Sequence, residues 1–281
     1  MLPPSLFTLE SLGSGRPVGF TLLSMPETKP AKRSAKKIVS KPAAKAPSQK
    51  TAALGSTTAA KTRRMGGDLA PERIAAILRA LDEAYPNAVC ALDHKTPWEL
   101  LVATILSAQC TDVRVNMVTP ELFRRFPTPA AMADAPIPEL EELIRTTGFF
   151  RNKAKSIKGA AQAVVERFGG QIPRTLAELI TVPGAARKTA NVVLGVSYGL
   201  AEGVVVDTHV FRITRRLNLA KGDTPEKVEQ ELMRVLPRDK WIDFSHQVIH
   251  HGRQVCVARN PKCNVCNLEQ LCHSKDKTWH S

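Results

Sequence analysis

The sequence has no run of about 18 or more consecutive apolar residues, which excludes a membrane-spanning helix. Its six cysteines are too few, in a chain of 281 residues, for a scaffold held together by disulfides. No segment repeats at the period of a solenoid or propeller. Only Val204–Val206 reads as a strand, and it is too short to found a sheet. These absences leave a globular protein of one or two domains with a sizeable core.

Acidic residues are also scarce. The chain has 26 Asp and Glu against 40 Lys and Arg, which gives a formal net charge of +14. Such an excess makes a polyanion the leading class of partner, with nucleic acid ahead of a membrane surface.

Most of the excess positive charge lies near the N-terminus. Residues 1–66 hold twelve Lys and Arg against two acidic residues, and few large apolar residues follow Met25. Because this segment cannot bury enough surface to offset its chain entropy, we expect residues 1–68 to form a basic, disordered tail. One interpretation is an arm that raises non-specific affinity for DNA. The other is a solvated linker, or a start codon misplaced upstream of Met25 or Met65.

From Pro71 onward the pattern is helical. Apolar residues recur at the helical spacing in Ile74, Ile77, Leu78 and Leu81. Capping boxes at Thr96–Glu99 and Thr175–Glu178 predict two helix starts, and the apolar segment after the first predicts a buried central helix. The predicted fold is therefore all-α, with two helical lobes.

Four cysteines lie close together near the C-terminus, in the pattern C-x6-C-x2-C-x5-C: Cys256, Cys263, Cys266 and Cys272. A short segment with this spacing can surround one metal centre. Zinc sites usually show two short C-x2-C pairs, whereas this segment has one. The spacing gives a modest preference for a [4Fe–4S] cluster, with zinc as the alternative.

Between two predicted helices lies the sequence VPGAARKTA, Val182 to Ala190. A Pro-Gly turn followed by a helix N-terminus presents backbone N–H groups to an anion such as a DNA phosphate. Lys188, in the first turn of that helix, either contacts phosphate or acts as a nucleophile. The second role needs a neutral amine, which burial, the neighbouring charge of Arg187 and the helix dipole would all favour.

Asp207 follows the apolar segment Val204–Val206 and precedes Thr208 and His209. On its own it reads as a helix N-cap. The order of VPGAARKTA, then VDTH nineteen residues after the lysine, then the four cysteines resembles the endonuclease III family of helix-hairpin-helix DNA glycosylases. The resemblance runs from about Pro71 to the C-terminus.

The resemblance implies a bifunctional DNA glycosylase and AP lyase with a [4Fe–4S] cluster on the four cysteines. It implies that Lys188 is the nucleophile and Asp207 its partner. The substrate would be double-stranded DNA with a damaged base, an oxidised pyrimidine for example, or with an abasic site. The implied domains are a cluster lobe of residues 69–89 and 201–281 and a six-helix lobe of residues 90–200, with DNA bound in the cleft between them.

The resemblance also implies residues that contact DNA. Gln109 would enter the duplex where a base has been flipped out, Asp112 would lie near the cleft, and Phe149 would insert from a second loop. The further implied DNA-binding residues are Pro183, Gly184, Ala186, Arg187, Thr189 and His209. The implied enzyme is a monomer with no membrane partner. It would be cytoplasmic and nucleoid-associated in a bacterium, or organellar or nuclear in a eukaryote.

The chain departs from the family at the hairpin, where Ala186 replaces a second glycine. If that position requires a positive φ, alanine costs about 1–2 kcal/mol, and its methyl group would crowd a phosphate. We therefore expect Ala186→Gly to tighten DNA binding. Two alternatives stay open: a helix-hairpin-helix DNA-binding protein with weak or lost catalysis, and a zinc-stabilised DNA-binding protein.

Overall fold

A computed structural model describes residues 67–278 of the chain, and within this range it contains helices and no strands. The α-helices are α1 (Pro71–Ala84), α2 (Pro97–Leu106), α3 (Asp112–Arg125), α4 (Pro129–Asp134), α5 (Ile137–Ile144), α6 (Phe150–Phe168), α7 (Leu176–Leu179), α8 (Arg187–Tyr198), α9 (Thr208–Arg216), α10 (Pro225–Val235) and α11 (Trp241–Gln254). Short 3-10 turns lie at Arg145–Thr147, Arg238–Lys240, Cys263–Val265 and Glu269–Leu271. The predicted all-α fold is confirmed.

Most of these helices begin where a short polar side chain can accept a backbone hydrogen bond. Thr96 and Thr175 cap α2 and α7 as predicted, each accepting from the amide three residues on. Thr128 caps α4 in the same way, a start that the sequence analysis missed. Each such cap contributes about 1 kcal/mol by satisfying an otherwise unpaired amide.

The buried side chains form two separate hydrophobic cores. The first draws on residues 92–194 and the second on residues 74–81 with residues 204–268. The described residues nevertheless belong to one compact unit. The division into lobes at 69–89, 90–200 and 201–281 therefore stays a prediction, and the predicted tail lies almost entirely outside the described residues.

Helix α2 is the centre of the first core. Residues Leu100–Leu106 are buried on every side, as the uniformly apolar sequence predicted. The helix packs against α8, which follows the hairpin, and against α3 and α6. A rigid central helix thus fixes the hairpin on one side and the loop after Leu106 on the other. No helix among residues 67–278 is both long and apolar enough to cross a membrane.

Candidate active site

Lys188 and Asp207 lie in the walls of one pocket. Lys188 is the second residue of α8, and Asp207 precedes α9, so elements packed on the two different cores supply them. The pocket is open to solvent and encloses about 610 Å³. Its other polar lining residues are Cys90, Thr104, Ser107, Asp112, His246, His250 and Arg253. The two residues that the sequence analysis singled out, nineteen positions apart, thus share one cavity.

The carboxylate of Asp207 is held by the start of α9. Its Oδ1 accepts hydrogen bonds from the backbone N–H groups of His209 and Val210, each at 2.8 Å. Within residues 67–278 no hydrogen-bond donor is found for its Oδ2. Asp207 is therefore both the helix cap and a carboxylate with one oxygen left for the pocket.

The Lys188 side chain is exposed, and its Nζ makes no hydrogen bond to any described residue. The expectation that burial favours its neutral amine is therefore wrong. The neighbouring charge of Arg187 is also compensated, because its Nε donates to Glu229 at 2.8 Å. Lys188 lies in the first turn of α8, at the positive end of the helix dipole.

Glu229, in α10, connects that helix to the start of α8 beside the pocket. Its carboxylate is buried and accepts from Arg187 Nε and from Asn191 Nδ2, both at 2.8 Å. Gly203 passes so close that a Cβ there would lie 2.0 Å from Glu229 Oε1. The first turn of α8 is thus fixed by a buried acid that no local sequence pattern indicated.

The hairpin places its single left-handed residue at Gly184, with φ of +78°. Ala186 has φ −61° and ψ 162°, which is ordinary extended backbone. The expectation of strain at Ala186 is therefore wrong, because alanine adopts this conformation freely. Ala186 offers no side-chain cap to α8, and no described residue accepts from the amides of Arg187, Lys188 and Thr189. Three unpaired amides at a helix start are suited to an anion.

Two exposed residues between helices have backbone conformations that are uncommon for their type. Gln109 has φ +53° and Phe149 has φ +47°, and Phe149 is 65% exposed. A non-glycine residue held there costs about 1–3 kcal/mol, and such strain clusters at functional sites. The other two such residues among positions 67–278 are asparagines, which tolerate this conformation. Gln109 and Phe149, which the resemblance predicts to enter the duplex, are therefore the two described residues other than glycine and asparagine that have a positive φ.

Asp112 and His209 are engaged with the protein itself. Asp112 Oδ2 accepts from Arg253 Nη2 at 2.6 Å, which links the start of α3 to α11 across the pocket. The His209 ring packs against Gly252, where a Cβ would lie 2.7 Å from its Nδ1. Burial lowers the pKa of His209; Asp207 opposes this shift and Arg212 adds to it. Their contact with DNA stays a prediction.

The four clustered cysteines line one small cavity and form no disulfide. Three of their sulfurs have nitrogen neighbours: Arg216 Nη1 lies 3.3 Å from Cys256, Thr278 N 3.4 Å from Cys263, and His251 Nε2 3.5 Å from Cys266. Burial raises the pKa of Cys266 to about 11, so its thiolate form requires a bound cation or a strong donor. Among residues 67–278 no three His, Cys, Asp or Glu side chains are arranged around a single ion.

Residues 102–238 match the family of HhH-GPD superfamily base excision DNA repair proteins. Endonuclease III of Synechocystis sp. is 54% identical over 203 residues, which cover 72% of this chain and 93% of that protein. The chain belongs to the endonuclease III family. Its members are bifunctional, and this chain is a DNA glycosylase and AP lyase of base-excision repair.

Two solved structures of endonuclease III agree with the fold. One is a non-covalent endonuclease III–DNA complex, with a TM-score of 0.69 and 40% identity, covering 73% of this chain and 95% of that one. The other is a trapped endonuclease III–DNA covalent intermediate, also with a TM-score of 0.69 and 40% identity, covering 73% and 96%. The resemblance drawn from the hairpin, the VDTH segment and the cysteines is thereby confirmed.

Proposed function

We propose that Lys188 is the nucleophile of this enzyme and that Asp207 is its catalytic partner, acting on double-stranded DNA with a damaged base or an abasic site. Oxidised pyrimidines are the proposed class of damaged base. The observation that supports this assignment is the shared pocket, which an exposed lysine and a partly satisfied carboxylate line together.

The chemistry begins with the damaged base flipped out of the stack into the pocket. Lys188 Nζ forms a bond to the sugar C1′ as the bond from C1′ to the base breaks, and the base leaves with that electron pair and a proton. Loss of a proton from Nζ and opening of the C1′–O4′ bond give an imine, with O4′ protonated. Removal of a C2′ proton then expels the 3′-phosphate by β-elimination, which cuts the strand.

Asp207 supports the first step through the oxygen that is not used as a helix cap. A carboxylate near C1′ stabilises the positive charge that the sugar develops as the base departs, and it can accept the proton released from Nζ. Because two backbone amides fix its Oδ1, the carboxylate keeps its orientation without substrate. Pre-orientation of this kind lowers the reorganisation needed during reaction.

The surrounding residues bind the duplex. The unpaired amides after Ala186, with Pro183, Gly184 and Thr189, form the proposed phosphate site. Gln109 and Phe149 are proposed to fill the space that the flipped nucleotide leaves, since both are exposed residues between helices. Because its relatives include bacterial proteins such as the one from Synechocystis, we propose that the enzyme binds chromosomal DNA in a bacterial cytoplasm. We propose that it acts as a monomer.

Cys256, Cys263, Cys266 and Cys272 are proposed to hold a [4Fe–4S] cluster. They line one cavity, and their single C-x2-C pair with longer arms is a spacing that favours a [4Fe–4S] cluster over a zinc site built on two such pairs. When bound, the cluster would cross-link the chain after α11 to the C-terminal segment. Visible absorption of the purified protein distinguishes the two centres, because zinc is colourless.

The proposed nucleophile is tested by borohydride trapping on duplex DNA with an abasic site. Borohydride reduces the imine to a stable amine, so the wild-type protein should become covalently attached to DNA. Lys188→Met should abolish the adduct, whereas Lys221→Met, which removes an exposed lysine outside the pocket, should leave it unchanged. An adduct that persists in Lys188→Met would overturn the assignment, and no adduct with the wild type would favour a DNA-binding protein without catalysis.

A further inference from the structure

Lys153 is a buried lysine that the proposed chemistry does not use. It lies in the first turn of α6 and is 5% exposed. No acidic side chain in the described part of the chain forms an ion pair with it; its Nζ donates instead to two backbone carbonyls, Leu106 O at 2.8 Å and Thr147 O at 2.7 Å. Burial lowers the pKa of Lys153 by penalising the charged amine. Because burying an amine is unfavourable, we expect the role of Lys153 to be its hydrogen bonds to these two carbonyls.

The two carbonyls lie directly before two loops that carry the exposed residues with positive φ: the Gln109 loop (residues 107–111, between α2 and α3) and the Phe149 loop (residues 148–149, before α6). Leu106 is the last residue of α2, three positions before Gln109. Thr147 is the last residue of its 3-10 turn, two positions before Phe149. The carbonyl at the end of a helix has no partner within the helix, so a cation there also complements the helix dipole. The Lys153 amine therefore hydrogen-bonds to the backbone residue that precedes each of the two loops.

The backbone of Lys153 holds the second loop as well. Its N–H donates to Phe149 O at 3.1 Å. Lys153 therefore contacts the Phe149 loop through both its amide and its amine, and the Gln109 loop through its amine. The Lys153 side chain thus connects the two loops directly, in addition to the packing of α2 against α6.

We propose that Lys153 is a positioning residue that joins the Gln109 and Phe149 loops, so that both side chains enter the duplex as one unit at the flipped nucleotide. This proposal rests on the proposed function, because it needs both loops to contact DNA. Lys153 itself touches neither DNA nor the reacting atoms. It acts by holding Gln109 and Phe149 in position relative to each other.

A second lysine on the same helix provides a matched control. Lys158 Nζ donates to Ala135 O at 2.6 Å, a carbonyl just after α4 that belongs to neither loop. Lys158→Met therefore removes the same kind of hydrogen bond from α6 without reaching the pocket. A general weakening of the fold would affect both lysine variants, whereas a positioning role belongs to Lys153 alone.

The test measures how the protein distorts a duplex. The duplex carries a tetrahydrofuran abasic analogue, which resists cleavage, opposite the fluorescent base 2-aminopurine, whose emission rises when it is unstacked. Wild-type protein should raise the emission on binding. Lys153→Met should lose most of this rise and bind the duplex about tenfold more weakly, because both hydrogen bonds of the buried amine are lost. Lys158→Met should match the wild type.

A double-mutant cycle separates positioning from stability. In a chain that already carries Gln109→Ala and Phe149→Ala, Lys153→Met should change DNA affinity by less than about twofold, because the residues through which it acts are gone. A tenfold loss that persists in this background would overturn the proposal, as would a full emission rise from Lys153→Met. If Lys153→Met does not fold, as judged by circular dichroism, Lys153→Gln replaces it in the same cycle, since its shorter amide cannot reach both carbonyls.

Failure of the proposed function is distinguishable from failure of this inference. If the wild-type protein produces no emission rise, the two loops do not enter the duplex and the proposed DNA contacts are wrong. If the wild type and Lys153→Met produce the same rise, the loops act but Lys153 does not position them.

Discussion

Gly184 carries the conformational demand of the hairpin, and this can be tested by exchanging the small residues at positions 184 and 186. Gly184 has φ +78°, and a Cβ there would lie 3.1 Å from Ile105 Cδ1 and 3.2 Å from Ser156 Cβ. Alanine in the left-handed region costs about 1–2 kcal/mol. Crowding of two neighbours in a packed region adds about 1 kcal/mol. Gly184→Ala should therefore lower the free energy of unfolding by about 2–3 kcal/mol.

Ala186→Gly is the matched comparison. Because Ala186 already has φ −61°, glycine there relieves no strain. The stability change should be within about 1 kcal/mol, the entropic cost of glycine. DNA affinity should change by less than about threefold, since only the removal of an exposed methyl group can favour a phosphate. This corrects the expectation from sequence that Ala186→Gly clearly tightens binding.

The assay is urea unfolding followed by far-ultraviolet circular dichroism, with DNA affinity measured at one salt concentration for folded protein. The expected order of stability is wild type close to Ala186→Gly, with Gly184→Ala clearly below both. The reverse order, with Ala186→Gly the more stable protein and Gly184→Ala unchanged, would refute the assignment of the left-handed residue to Gly184.

Three further predictions concern the pocket and the tail. Asp207→Asn should keep the helix cap, because an amide oxygen accepts the same two N–H bonds, but should lower the glycosylase rate by about 100-fold or more; Asp207→Ala should also lose about 1 kcal/mol of stability. Burial lowers the pKa of His246, so below about pH 6.5 the unfolded chain takes up a proton more readily than the folded chain and stability should fall. Because burial also lowers the pKa of His209 and His251, His246→Gln should reduce this fall in the free energy of unfolding, measured in urea, without removing it. Deleting residues 1–66, which hold twelve basic and two acidic residues, should flatten the salt dependence of DNA affinity and leave lesion selectivity unchanged; lost selectivity would show that the tail takes part in recognition.

Local features of the fold were predictable because local sequence determines them. The Thr96 and Thr175 caps and the buried α2 follow from residue types a few positions apart. Lys188 and Asp207 were found in the same way, through two short motifs. The pocket that both residues line depends on how the two cores pack, and no sequence motif predicts it.

The contacts that fix the site were not predictable. Lys153 with Leu106, Arg187 with Glu229, and Asp112 with Arg253 each join residues that are 42 to 141 positions apart. No spacing rule connects residues so distant in one sequence. The error at Ala186 has a related cause, because a hairpin motif does not show which of its residues takes the positive φ; the packing of Gly184 against Ile105 and Ser156 decides it.

The central claim, that the Lys188 amine forms the bond to the sugar, is tested most directly by locating that bond. The wild-type protein is trapped with borohydride on abasic duplex DNA, digested with trypsin and nuclease, and analysed by tandem mass spectrometry. The sugar remnant should be attached to Lys188 and to no other amine. Attachment to a different lysine or to the N-terminal amine, with Lys188 unmodified, would contradict it.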